Sequence, residues 1–201
     1  MLKPDYPINT DRLLLRPYNL DDLDDLYDIQ SRPQVARYLY WSARDRDEVR
    51  AALRLKIHGS VLSDQGGQLT LAVVLPETGT MIGEVRLVWV SRAYRQGEIG
   101  YVFHPDHGGR GYATEATEVV LRLGFDELGL HRIIGRLDGR NTASARVLER
   151  VGLRREAHFV QNEIVKGEWV DEMIYAMIED EWRARRLVHE SPLEDTPLEG
   201  E

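Results

Sequence analysis

Glu98-Ile-Gly-Tyr-Val-Phe-His-Pro-Asp-His-Gly-Gly-Arg-Gly-Tyr-Ala-Thr-Glu-Ala116 is the stretch best suited to chemistry. Ile99 to Phe103 reads as a short apolar strand, stopped by Pro105. Gly108, Gly109 and Gly111 make a turn that lets backbone approach a ligand closely, and a helix opens near Tyr112. The first N–H groups of a helix have no partner inside it. With the helix dipole they form an anion site of the kind that holds a pyrophosphate.

Two familiar phosphate loops do not fit. A Walker-type loop needs Gly-Lys followed by Ser or Thr, and Tyr112 follows Gly111. A dinucleotide fingerprint needs a third glycine three places after the second, where this chain has Thr114. Its ribose-binding acid falls about 20 residues on, and Asp138, the nearest analogue, is farther. Glycines alone would also suit a loop that merely turns a strand into a helix.

Gly108-Gly109-Arg110-Gly111-Tyr112-Ala113 resembles the acyl-CoA loop of the GNAT superfamily of N-acetyltransferases, Gln/Arg-x-x-Gly-x-Gly/Ala. The flanks Ile99-Gly100-Tyr101 and Thr114-Glu115-Ala116 resemble its ribosomal-protein-alanine branch. Gly108 departs from the pattern, standing where Gln or Arg is usual. Three further segments resemble the family in the right order: Thr10-Asp-Arg-Leu-Leu-Leu-Arg-Pro17, the Asn141-x-x-Ser144 helix leading to Gly152, and Gly167-Glu-Trp169-Val-Asp171-Glu-Met-Ile-Tyr175. Asn141 suits an N-cap and Gly152 a C-cap. The likeness spans about residues 10 to 183.

The elements behind these motifs alternate. Strands are expected at Leu13–Arg16, Leu69–Leu75, Met81–Val90, Glu98–Phe103, His131–Asp138, Leu153–Glu163 and Trp169–Ile178. Asn19 should cap a first helix that Pro33 stops. Val49, Leu53, Ile57 and Val61 mark a second from about Asp45, and two more run from Tyr112 to Leu128 and from Asn141. This order predicts a single α/β (mixed α+β) domain, GNAT-like. Its central sheet is mixed, mostly antiparallel and of about seven strands, with helices on both faces. The domain is expected over 1–186, and 187–201 as an acidic, disordered tail.

A net charge of −8 argues against nucleic acid as a partner. The chain has no cysteine, and its histidines show no ligand pairing, so no metal site is expected. His104 and His107 read as exposed loop residues. No apolar run approaches a membrane span of about 20 residues, and the N-terminus lacks a signal-peptide core. A cytoplasmic location is the expectation.

The resemblance implies direct transfer of an acetyl group from acetyl-CoA, as cosubstrate, to a primary amine, either a protein N-terminus or a small molecule. The alternative is a non-catalytic acyl-CoA sensor on the same fold. The loop Gly108, Gly109, Arg110, Gly111, Tyr112, Ala113 and Thr114 would hold the cofactor, with Asn141. Val102 and Phe103 would offer main-chain groups to the pantetheine arm and, at a bulge near Phe103, to the thioester oxygen. Ser144 is the candidate acid, since the tyrosine some branches carry four places on is Leu148. Glu98 and Glu163 compete as the base, and Asp171 and Tyr175 are weaker candidates for the acceptor pocket. A homodimer through the closing strands is compatible with the family.

Overall fold

Alternating burial along one strand builds two cores on one sheet. In β3 (Gln68–Val74), Leu71 and Val73 face one layer and Ala72 and Val74 the other, and all four are buried. A strand covered on both faces reads as a continuous apolar run. The structure, a computed structural model, describes residues 1–190. Its remaining strands are β1 (Ile8–Asn9), β2 (Leu14–Arg16), β4 (Met81–Ser91), β5 (Gln96–Phe103), β6 (Arg132–Asp138), β7 (Arg154–Val165) and β8 (Glu168–Ile178). They form one eight-stranded sheet in the order β1-β2-β3-β4-β5-β6-β8-β7. Only β5 and β6 run parallel.

The helices are α1 (Leu23–Gln30), α2 (Pro33–Ala36), α3 (Arg46–Ile57), α4 (Tyr112–Arg122), α5 (Thr142–Arg150) and α6 (Glu179–Glu190). α1 and α3 cover one face, burying Leu26, Ile29, Val49 and Leu53. α4, α5 and α6 cover the other with Ala116, Val119, Val120, Leu148 and Trp182. α3 starts at a full capping box, in which Asp45 accepts from the N–H groups of Asp47 and Glu48 and Glu48 answers to Asp45 N–H. Among the described residues no helix is long and apolar enough to cross a membrane.

Several boundaries differ from expectation. The sheet has eight strands rather than seven, because β1 is a two-residue pairing with no periodic signal. Pro33 does not stop α1, which ends at Gln30; it opens α2 at its first position, where a missing N–H costs nothing. Val61 lies beyond α3. The first helix begins as a 3-10 turn over Leu20–Asp22, and the fourth ends in a π turn over Leu123–Glu127. α6 runs to Glu190; the tail expected over 187–201 otherwise lies outside the described residues.

Candidate active site

The parallel pair β5–β6 holds together only at its start. Gln96 to Ile99 pair with Arg132 to Gly135. Beyond that point Gly100 to Phe103 remain paired with β4, and Arg136 to Asp138 with β8. The two strands therefore part toward their C-terminal ends. A seam of this kind gives an extended chain the strand edges it needs for main-chain hydrogen bonds. It opens into a cleft of about 360 Å³ whose lining includes Val102, Tyr101, Asn141, Ser144, Glu98 and Glu163. Because β5 and β6 point the same way, the turns after both lie at the same edge. α4 and α5 thus start on either side of the seam's mouth, where open α/β sheets bind ligands.

The glycine loop sits at this edge. Gly111 is the N-cap of α4 with φ +82°, and Gly109 has φ +75°. Both lie in the left-handed region that side chains disfavour. Strand β2 and the turn before it brace the junction. Thr10 Oγ1 donates to Glu115 Oε1 at 2.6 Å, and Arg12 reaches Glu115 Oε2 and the Arg110 carbonyl. Burial alone would raise the Glu115 carboxyl, but the bonds from Thr10 and Arg12 outweigh it and leave it below the usual range.

His104 is buried rather than exposed. Its Nδ1 accepts the Asp106 N–H at 3.2 Å, which leaves Nε2 to donate to Asp28 Oδ2 at 2.8 Å. The turn is thereby tied to α1. His107 is partly buried, and burial, then His104 and Arg110, push its imidazole below the ordinary value. Its Nδ1 and Thr114 Oγ1 are buried polar atoms without a protein partner among the described residues. Such groups call for a ligand or water. Together with the first N–H groups of α4 they fit a phosphate-bearing group.

On α5, Asn141 Oδ1 accepts the Ser144 N–H at 3.1 Å, as an N-cap should. This fixes Ser144 in the first turn. The Tyr101 hydroxyl lies 2.9 Å from Ser144 Oγ and 2.8 Å from the Ser144 carbonyl oxygen. Burial holds the Tyr101 phenol well above its usual pKa, so it stays a proton donor. Leu148 is buried and presents only an apolar side chain to the cleft. Residue typing did not assign Tyr101 a role; its alternation with Ile99 and Phe103 was the available signal.

Glu98 and Glu163 reach the same cleft from different strands. Glu98 lies between two guanidinium groups, 3.7 Å from Arg86 Nη2 and 3.5 Å from Arg136 Nε. Glu163 Oε1 accepts a hydrogen bond from the Tyr40 hydroxyl at 2.8 Å. Burial and this carboxylate push Tyr40 up to about 12. The segment carrying Tyr38 to Trp41, at the edge of the early helical region, forms part of its wall. Its neighbourhood is fixed by Lys166, which donates from the β7–β8 turn to the Ala36 carbonyl at 2.5 Å.

Other expectations fall away from the cleft. Asp171 accepts from His158 and the Gln161 N–H, and Tyr175 donates to Glu149; neither lines the cleft. Phe103 packs against Gly83. The β4–β5 pairing is continuous from Gly97 to Phe103, so the bulge expected near Phe103 is absent; the register shift falls at Trp89–Ser91 instead.

Residues 12–154 match the family described as Acetyltransferase (GNAT) domain, so the chain belongs to that family. The protein is an acetyl-CoA-dependent N-acetyltransferase. It is 33% identical over 177 residues to "Uncharacterized N-acetyltransferase YnaD" of Bacillus subtilis, covering 87% of this chain and 98% of the relative. The crystal structure of a GNAT-family acetyltransferase from Bacillus anthracis superposes with a TM-score of 0.78 at 29% identity, covering 87% and 99% of the two chains. The fold also matches a spermidine N-acetyltransferase from Vibrio cholerae in complex with CoA and spermine, with a TM-score of 0.72 at 20% identity over 87% and 99%.

Proposed function

We propose that the seam between β5 and β6 takes the acyl-CoA arm, and that Ser144, Tyr101 and Glu163 carry direct acetyl transfer to a primary amine. The acceptor is a small amine or a protein N-terminus. The observation that carries this reading is the convergence of the seam, the Ser144–Tyr101 pair and Glu163 on one cleft.

Bound acetyl-CoA supplies a thioester, whose carbonyl carbon accepts the amine's lone pair as its C–S bond breaks. Residues Gly109 to Thr114 would hold the pyrophosphate with main-chain N–H groups and Thr114 Oγ1. The free main-chain edge of Gly100 to Phe103 would take the pantetheine amides and the thioester oxygen. Ser144 Oγ would donate its proton to the departing sulfur, Tyr101 would replenish it through their 2.9 Å contact, and water admitted as CoA leaves would return a proton to Tyr101. Glu163 would take the amine's proton, through water. Glu98, already facing two arginines, serves to orient them.

Mass spectrometry after incubation with acetyl-CoA tests direct attack. Acetyl should appear on the acceptor's nitrogen. Accumulation of an acetyl-serine enzyme in the absence of acceptor contradicts the mechanism.

A further inference from the structure

The arginines Arg44 and Arg86 line the cleft beside the carboxylates Glu84, Glu98, Asp138, Glu163 and Glu172. Arg86 on β4 pairs with Gly100 of β5, and its side chain lies flat across that strand where the seam opens. A Cβ at position 100 would stand 2.5 Å from Arg86 Nε and 3.3 Å from its Cζ, so glycine is what allows this placement. The nearest carboxylate oxygen, on Glu98, is 3.7 Å away, longer than a hydrogen bond.

Arg44 comes from the segment between α2 and α3. Its N–H donates to the Gln30 carbonyl at 3.0 Å and its Nη1 to Gln30 Oε1 at 2.8 Å. Its guanidinium carbon stands 4.7 Å from the centre of the Trp41 ring. Gln30 is buried, so neutral partners hold this cation in place. Among the described residues no carboxylate lies within ion-pair distance of it. A guanidinium fixed by packing and left without a counter-charge is preorganised for a planar anion.

We infer that the acceptor is a small amine that also carries a carboxylate, as an amino acid does. Its amine sits at the seam beside Ser144 and Glu163, and its carboxylate is held by Arg44 and Arg86. This rests on the acetyl-transfer reading given above. A polyamine would set a second cation against these arginines, and a peptide N-terminus would offer them an amide instead of a carboxylate.

The test is thiol release from acetyl-CoA with matched pairs, phenylalanine against phenethylamine and lysine against cadaverine, beside spermidine and a short peptide. The wild type is compared with Arg44→Gln and Arg86→Gln, each checked for CoA binding by calorimetry. We expect kcat/KM to favour the carboxylated member by about tenfold, the scale of one hydrogen bond to a charged group. Each substitution should shrink that ratio toward one, chiefly through KM. A preference for the decarboxylated amine, spermidine or the peptide overturns the inference and leaves acetyl transfer standing, as does a ratio that neither substitution changes. Absence of release with every amine overturns both.

Discussion

The Tyr101 hydroxyl, from the middle of β5, stands 2.9 Å from Ser144 Oγ in the first turn of α5. Residues 43 positions apart meet there because β5 and β6 part just above Ile99 and Gly135. A strand phenol thus backs a helix hydroxyl at the place where a thiolate would leave.

Removing either hydroxyl should slow transfer without loosening the cofactor. Ser144→Ala is expected to lower kcat by about a hundredfold, the lower end for a general acid. Tyr101→Phe should follow in the same direction, and the double variant should fall less than the product of the two, since they act as one relay. CoA affinity by calorimetry should stay within about twofold.

Glu163→Gln should reveal its role through pH. Without a base, the rate depends on the fraction of amine that arrives deprotonated, and that fraction grows with pH up to the amine's own pKa, about 7.7–8.0 for an α-amine. The deficit in kcat/KM against wild type is expected to be largest near pH 6 and to shrink by pH 9. A deficit that stays constant across that range contradicts the base assignment.

Glu115→Gln tests the brace under the glycine loop. The Glu115 carboxyl is lowered in the folded state. Its contribution is therefore present above the unfolded value of about 4.3 and is lost as pH falls through the folded one. Arg12 is half-exposed, so the pair is screened and a cost of about 1 kcal/mol at pH 7 is expected. Urea melts should show the variant and wild type converging in acid.

Trp182→Ala should cost about 3 kcal/mol. The indole is buried in the main core, stacks on Phe125 at 5.6 Å and donates to Asp126 Oδ1 at 2.8 Å. A melt within 1 kcal/mol of wild type would contradict Trp182 as the main anchor of α6.

What was legible in the sequence follows from what is local. β3 and β4 are apolar runs bounded by turn residues, and Asn141 and Gly152 mark both ends of α5, so these elements fall within a residue or two of expectation. α6 was not foreseen because its sequence is mostly charged and its main inward anchor is Trp182. His104 looked like a loop histidine because the partner that buries it, Asp28, is 76 positions away. Tyr40, Arg44 and Arg86 carry no motif that marks them one by one. They become part of a site only when the segment before α3 folds over β4 and β5. The glycine loop was recognisable by type, whereas the side chains around it had to be placed by strand register.

The most direct test of the central claim is thiol release from acetyl-CoA, started by adding amine to enzyme already holding the cofactor. The account predicts release that requires amine, saturates with it, and falls about a hundredfold in Ser144→Ala. Tight CoA binding with no amine-dependent release, or release undiminished by that substitution, would contradict it.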